Sequence, residues 1–213
     1  MLRTLSRKKP MSIFLLIRHG LNDTVNRRIA GRVPGVHLNP EGIRESEYLA
    51  EKLSRYPVHH IISSPLERAM ETARFLAERL HLEVEIDEAF NEMNVSGWTG
   101  KSFEELESDP LWRRFNTNRS TTRAPGGETV LEVQVRFMQG IERLYLRFPD
   151  DMIAIFSHAE PIKTAVAYCI GIPLDFITRL EIGTASVSVI DYHPEWIRIL
   201  TVNSLENLPL GTG

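Results

Sequence analysis

Hydrophobic positions along the chain form short continuous runs that alternate with longer stretches of helical period. A continuous apolar run of five or six residues is typical of a strand buried on both faces of a sheet. Strands are predicted at 13–17, 58–62, near 84 and 152–156, with a hairpin of 187–190 and 197–202 joined through His193-Pro194-Glu195. The three long runs each end in a polar cluster, so each strand is expected to deliver polar side chains at its carboxyl end.

Helices are predicted between these strands. Asn39-Pro40-Glu41 is a helix start, because asparagine caps the first turn, proline suits its first position and an acid favours its positive end. Proline residues at 57 and 149 end two of the helices. The predicted helices cover 40–56, 67–80, 128–148 and 161–170.

The segment from residue 90 to residue 127, called the 90–127 segment below, has weak periodicity and many polar residues. One short helix is expected at Ser102–Glu105, where the spacing of a capping box occurs. We expect the rest to be an excursion over the functional site, a lid-like insertion.

Strands that alternate with helices predict an α/β fold, a three-layer α/β/α sandwich whose central sheet is mostly parallel and has an antiparallel edge. The pattern predicts one domain over residues 13–204, preceded by a basic, disordered leader (1–12) and followed by a tail (205–213). Met11 is the alternative start of the chain. Leu205, Leu208 and Leu210 either pack onto the domain or join a second subunit, so the chain is expected to be a monomer or a homodimer.

Composition narrows the function classes. The 213 residues are 42% apolar and 25% charged, as in an ordinary globular domain. The net charge of −3 does not favour a nucleic-acid partner, and no stretch approaches the ~20 apolar residues that span a bilayer, so no membrane partner is expected. The single Cys169 cannot form an intrachain disulfide, which fits a cytoplasmic location.

Cationic and titratable side chains follow three of the predicted strands: Arg18-His19, then Arg68, then His158. Ligands bind beyond the carboxyl ends of parallel strands, so these side chains should converge on one crevice. A guanidinium matches the geometry of phosphate oxygens, which predicts an anion site. Walker-type and dinucleotide glycine motifs are missing, and no Cys/His cluster indicates zinc, so neither a cofactor nor a metal is expected.

At these residues the chain resembles the histidine phosphatase superfamily, also called the phosphoglycerate mutase-like family. The resemblance covers about residues 13–190. Its motifs match, in order, Arg18-His19-Gly20, Ser63 to Ala73, Glu92 before Gly97-Trp98-Thr99-Gly100, Pro125-Gly126-Gly127-Glu128, and Ser157-His158. Five motifs in the family's order are much more specific than a lone Arg-His-Gly.

The resemblance implies a phosphohistidine mechanism. His19 would be the nucleophile, while Arg18, Arg68 and a protonated His158 would hold the phosphoryl oxygens. Glu92 would be the general acid and base, although Glu88 lies close to it in the sequence.

The chain departs from the family pattern at two places. After Arg-His-Gly the spacing is altered, so the phosphate-binding asparagine is expected to be Asn26, with Thr24 or Arg32 as alternatives. After His158 stands Glu160, which either faces a positive group of the substrate or points away. Arg119 or Arg123, in an arginine-rich stretch, is either solvated or meets a second anionic group of the substrate.

Three functions compete. The favoured one is a metal-independent phosphomonoester hydrolase that acts on a small phosphorylated metabolite. A phosphoglycerate mutase is the alternative, and a non-catalytic phosphate-binding protein is disfavoured because both His19 and Glu92 are present.

Overall fold

The computed structural model describes residues 11–210, so most of the predicted leader and the last three residues of the predicted tail lie outside the described residues. Ser12, assigned to the leader by the sequence pattern, is buried in the first strand. The strands of the described part are β1 (Ser12–Arg18), β2 (Val58–Ser63), β3 (Val84–Ile86), β4 (Met152–Ser157), β5 (Val187–His193) and β6 (Trp196–Ser204).

The strands form one mixed sheet in the order β3-β2-β4-β1-β5-β6. β3, β2, β4 and β1 run parallel, whereas β5 pairs antiparallel with both β1 and β6. The predicted parallel sheet with an antiparallel edge is therefore confirmed. Arg18 of β1 pairs with Ser157 of β4, and Ser63 of β2 pairs with Phe156, so three strands end side by side.

Helices cover both faces of the sheet. They are α1 (Pro40–Leu53), α2 (Glu67–Leu80), α3 (Phe103–Glu107), α4 (Pro110–Thr117), α5 (Val130–Arg147) and α6 (Ala159–Ile170). The start of α1 follows the predicted signal, since the Asn39 side chain accepts the Gly42 N–H at 2.9 Å. That helix ends at Leu53 rather than at the predicted Tyr56.

Alternation along β1 creates two cores. Leu15 and Ile17 are fully buried against α1 and α2, whereas Phe14 and Leu16 are fully buried against α5 and α6. Successive side chains of a strand point to opposite faces, so an unbroken apolar run is required where helices cover both. The run that predicted β1 is thus explained by burial on two sides.

The 90–127 segment contains a helix that the sequence pattern did not predict. In α4, Asp109 caps the first turn by accepting the Leu111 N–H at 2.8 Å, and Pro110 takes the first position. Trp112 and Phe115 of α4 pack edge-on against the fully buried Trp98, with ring centroids 5.0 and 5.1 Å away. The segment has an apolar cluster of its own, which its weak periodicity did not predict.

Part of the predicted tail packs onto the domain. Leu208 is 5% exposed, and its N–H donates to the Tyr56 hydroxyl at 3.0 Å. The Lys52 ammonium donates to the Leu205 carbonyl at 2.9 Å, although the Leu205 side chain itself is exposed. Of the two alternatives for this region, packing onto the domain is therefore observed for Leu208.

Two glycines let the loop after β1 lie against the first turn of α1. A Cβ added to Gly42 would lie 1.9 Å from the Leu21 carbonyl oxygen, and one added to Gly20 would lie 2.6 Å from the Gly42 carbonyl oxygen. Both obstacles are backbone atoms, which cannot rotate away. The loop that carries His19 is thus held by close backbone contact with α1.

We expect Gly42→Ala to lower the free energy of unfolding by at least ~1–3 kcal/mol, because the added methyl group overpacks against a main chain. Thermal or urea unfolding of the purified variant measures the change.

Gly183→Ala is the matched control, since a Cβ there meets nothing closer than the Asn203 Oδ1 at 3.4 Å. Equal stability of the two variants would contradict the inferred contact.

Candidate active site

The carboxyl ends of β1, β2 and β4 build one crevice. The Ser157 carbonyl at the end of β4 accepts the His19 N–H at 3.0 Å, and the Phe156 carbonyl accepts the Ser64 N–H at 2.9 Å. Because β4 lies between the other two strands, its last residues fix both neighbours at once. The sheet therefore brings the loop of His19 beside that of His158.

His19 and His158 are neighbours in the structure. Their ring centroids lie 5.2 Å apart, and the side chains are 4% and 0% exposed, respectively. The His19 Nδ1 lies 2.8 Å from the Gly20 carbonyl oxygen. A carbonyl oxygen only accepts, so Nδ1 carries the proton and Nε2 keeps its lone pair.

Burial, followed by the positive charges of Arg68 and Arg18, holds the pKa of His19 well below its ordinary value of 6.5. The ring is therefore neutral at pH 7. A neutral imidazole with a free Nε2 lone pair is chemically a nucleophile.

Two buried guanidiniums flank this histidine. The Arg18 Nη1 donates to the Ile182 carbonyl at 2.6 Å, and the Arg68 Nη2 donates to the Gly31 carbonyl at 2.8 Å. Each guanidinium has further N–H donors besides these bonds. The Arg18 Nε and the Arg68 Nη1 are buried without a hydrogen-bond partner among the described residues. Burial lowers the pKa of both guanidiniums and Glu92 opposes this shift, yet a guanidinium stays charged.

Thr72 links the histidine loop to α2. Its hydroxyl accepts the Gly20 N–H at 2.9 Å and donates to the Arg68 carbonyl at 2.7 Å. The main chain beside His19 is therefore tied to the helical turn that carries Arg68.

Glu92 is held by its main chain. Its carbonyl accepts from the Arg32 Nε at 2.7 Å and from the Arg136 Nη2 at 3.0 Å. Both guanidiniums pair with Glu128, at 3.0 and 2.9 Å. We call Glu128, Arg32 and Arg136 the Glu128 clamp.

The carboxyl group of Glu92 faces His158. Its Oε1 accepts the Met93 N–H at 2.7 Å, and its Oε2 lies 3.9 Å from the His158 Nδ1. Burial raises the pKa of this carboxyl, although the charge of Arg68 opposes the shift. Glu88, the nearby acid in the sequence, instead accepts the Asn91 side-chain amide at 2.8 Å.

His158 is fully buried beside His19. Its Nε2 lies 2.8 Å from the Ser64 hydroxyl, which has no other acceptor within reach among the described residues. Ser64 therefore donates, and the remaining proton of His158 resides on Nδ1, facing Glu92. Burial and then the charge of Arg68 hold the pKa of His158 well below 6.5, so the ring is neutral, in contrast to the protonated ring predicted.

The loop from 21 to 32 contains the three alternatives for a phosphate-binding side chain, which are Asn26, Thr24 and Arg32. Asn26 is exposed, in a left-handed backbone conformation (φ 59°), and borders the cavity. Arg32 is occupied by the Glu128 clamp, and the Thr24 hydroxyl donates to the Asn22 Oδ1 at 2.6 Å. Asn22 itself is buried at the cavity, and sequence reasoning missed it.

A cavity of about 410 Å³ opens above His19. Arg18, Arg68 and Glu92 line the cavity, together with three aromatic side chains of the 90–127 segment: Phe103, Trp112 and Phe115. The lining thus combines charged groups with an apolar surface.

Charges farther along the cavity are arranged differently from the prediction. Arg119 is 6% exposed and forms an ion pair with Glu160. Glu160 therefore neither points away from the cavity nor lacks a positive partner. Arg123 pairs with Glu132 and does not line the cavity. Lys163 of α6 lines the cavity, and its side chain forms no ion pair or hydrogen bond among the described residues. Its position in a predicted helix did not indicate this.

Among residues 11–210, no three His, Cys, Asp or Glu side chains are grouped so as to hold a metal ion. No helix in that part of the chain has the length and apolar character needed to cross a membrane.

Comparison with known proteins places the chain among phosphoryl-transfer enzymes. The family model of the histidine phosphatase superfamily (branch 1) matches residues 14–205. A bifunctional protein of Mycobacterium tuberculosis is 33% identical over 186 residues, which are 85% of this chain and 50% of the relative. The chain thus spans about half the length of that relative.

Two further proteins match over most of their length. A probable phosphoglycerate mutase of an Enterobacter species is 28% identical over 181 residues, which are 83% of each chain. The structure of a mycobacterial glucosyl-3-phosphoglycerate phosphatase complexed with VO3 has a TM-score of 0.81 and 27% identity, covering 90% of this chain and 98% of that one.

The lowered pKa of His19 predicts that its ring stays neutral at and somewhat below pH 6.5, where a free histidine is half protonated. Histidine side-chain NMR across a pH series measures the titration.

His37 is the internal control, because its hydrogen bond to the Glu71 carboxylate raises its pKa above 6.5. On lowering the pH, the His37 signal should shift first. A His19 signal that titrates together with it would exclude a neutral nucleophile.

Proposed function

This chain belongs to the histidine phosphatase superfamily, and on that basis we propose that it is a metal-independent phosphomonoester hydrolase acting on a small phosphorylated metabolite through a phosphohistidine intermediate. One observation carries the proposal: the unprotonated Nε2 of a neutral, buried His19 between the guanidiniums of Arg18 and Arg68. Few other functions require a neutral imidazole in a pocket of fixed positive charge.

In the first step the His19 Nε2 attacks the phosphorus atom, forming an N–P bond while the bond from phosphorus to the leaving oxygen breaks. The proton stays on Nδ1 and is donated to the Gly20 carbonyl, which holds the ring in the reactive tautomer. The loop is fixed by α1 and Thr72, so the nucleophile is positioned before the substrate arrives.

Arg18, Arg68, His158 and Asn26 are the proposed donors to the phosphoryl oxygens. The unpartnered nitrogens of the two guanidiniums and the His158 Nδ1 support this role. Oriented donors in a buried site stabilise the charge that the phosphoryl group carries through the transition state.

Glu92 is the proposed general acid and base. In its protonated form it gives a proton to the leaving oxygen, which departs as an alcohol. The resulting carboxylate then takes a proton from water as the water oxygen attacks phosphorus and the N–P bond breaks. Inorganic phosphate leaves, and both residues return to their starting state. The raised pKa of Glu92 favours the protonated form needed first.

A phosphoglycerate mutase is the second candidate, supported by the Enterobacter relative. It would use the same first step but return the phosphoryl group to a hydroxyl of the substrate. Hydrolysis is preferred because the 90–127 segment adds only the short helices α3 and α4 over the site.

The cavity supports a small substrate with a second anionic group. Its volume is at the lower end of the range for metabolite sites, about 300–1,000 Å³. Arg119 is already paired with Glu160. Lys163 is therefore the proposed partner of the second anionic group, a role for which the sequence pattern offered Arg119 or Arg123 as one of two alternatives. The mycobacterial phosphatase acts on a phosphoglycerate derivative, which contains a carboxylate, and a compound of that class fits here.

The proposal includes a cytoplasmic location and a monomer or homodimer, without a nucleic-acid or membrane partner. These expectations rest on composition and on the single cysteine.

The proposal is tested by release of phosphate from a panel of phosphomonoesters in the presence of a chelator. Wild-type protein should retain activity with the chelator, and His19→Ala should lose at least about a thousandfold in kcat, since it lacks the nucleophile. Quenching the reaction with alkali, which preserves the acid-labile N–P bond, should trap a phosphohistidine in wild-type protein and none in His19→Ala.

His37→Ala, which alters an exposed histidine outside the cavity, serves as the control for a generic histidine effect. Hydrolysis that survives His19→Ala, or that the chelator abolishes, would refute the mechanism. Conversion of 3-phosphoglycerate to 2-phosphoglycerate without free phosphate would favour the mutase.

Lys163→Gln should raise KM about three- to tenfold for phosphomonoesters that carry a carboxylate, because it removes a charged partner. KM for an aryl phosphate whose aryl group carries no charge should be unchanged. Steady-state kinetics on the two substrates measures the difference.

Lys101→Gln removes the same charge from an exposed position outside the cavity and is the matched control. If both lysine variants affect both substrates equally, Lys163 does not select the second group.

A further inference from the structure

The side-chain amide of Asn22 has a fixed orientation. Its Oδ1 accepts the Thr24 N–H at 3.0 Å and the Thr24 hydroxyl at 2.6 Å. The Thr24 N–H can only donate, so the amide oxygen must lie on that side and the nitrogen on the other. The Nδ2 group, with two hydrogens to donate, is thereby directed away from the turn.

That nitrogen is buried and unpartnered. Asn22 is 3% exposed, borders the same cavity as His19, and its Nδ2 has no hydrogen-bond partner among the described residues. Three other nitrogens around His19 share this condition: the Arg18 Nε, the Arg68 Nη1 and the His158 Nδ1. Buried polar groups are nearly always hydrogen-bonded, so several unpaired donors in one place point to a common acceptor.

A structural role explains only half of this side chain. The turn at Thr24 needs an acceptor oxygen, which aspartate, serine or threonine supplies as well as asparagine. The amide nitrogen adds nothing to that turn. Aspartate at the same position would set a negative charge beside a bound phosphate, which gives a reason for the neutral amide.

We propose that Asn22 is a further phosphate-binding residue, which donates from Nδ2 to an oxygen of the phosphoryl group held by Arg18 and Arg68. The proposal rests on the phosphatase function proposed above and adds a donor that its sequence motifs do not contain. The turn at Thr24 orients Asn22, so the loop that follows the nucleophile also binds the group that the nucleophile attacks.

The test compares Asn22→Asp with Asn118→Asp. Aspartate at 22 keeps the oxygen that accepts from Thr24 but replaces the donor by a negative charge. Asn22→Asp should lower kcat/KM and weaken the binding of inorganic phosphate by roughly ten- to one-hundredfold or more. Asn118→Asp introduces the same charge at an exposed position outside the cavity and should have little effect on either.

Asn22→Ser is the second variant, because its hydroxyl can still accept from the Thr24 N–H while its short side chain lacks the amide donor. It should unfold at the wild-type temperature yet bind phosphate more weakly, which a merely structural residue would not do. In wild-type protein the side-chain NH₂ signals of Asn22 should also shift when inorganic phosphate is added.

The two proposals fail differently. Activity that survives His19→Ala refutes the phosphohistidine mechanism and leaves Asn22 to be judged by phosphate binding. If His19→Ala is inactive but the Asn22 variants keep wild-type kcat/KM and phosphate affinity, or if Asn118→Asp weakens phosphate binding as much as Asn22→Asp, the role of Asn22 is overturned. Unshifted Asn22 NH₂ signals in wild-type protein would overturn it too, even if the variants fail to fold.

Discussion

Positive charge held in a buried pocket around a neutral imidazole is the constraint on which the site depends. Arg18 and Arg68 each give one hydrogen bond to a backbone carbonyl, and these bonds fix their position without neutralising them. Burial and then their charge lower the pKa of His19 and so keep its lone pair free. The same two guanidiniums that suit an anion therefore also keep its attacker unprotonated.

The sheet topology provides this arrangement. Parallel pairing of β1 and β2 with β4 puts three strand ends in one row, and the carbonyls of β4 fix the neighbouring loops. Two helices on each face then cover the central strands, of which β4 and β5 are buried along their whole length. Surrounding the crevice with a rigid scaffold reduces the reorganisation that binding a phosphate requires.

Sequence reasoning found the residues whose position follows from strand order. Arg18, His19 and His158 come directly after apolar runs, so their convergence could be predicted. The helix α4 was missed because its apolar face is short, although Asp109-Pro110 is the same kind of start as Asn39-Pro40. Asn22 and Lys163 could not be assigned, because their roles depend on which neighbours leave them unpaired, and that is a property of three-dimensional packing.

The Glu128 clamp binds the carbonyl oxygen of Glu92 rather than its carboxyl group. A general acid and base changes its own charge twice in each catalytic cycle, and a clamp on the carboxylate would loosen whenever the proton returned. Here Arg32 and Arg136 of the clamp donate to a main-chain oxygen, which undergoes no proton transfer. The main chain of Glu92 is therefore anchored independently of its protonation state, so proton transfer need not disturb the alignment of the reacting groups.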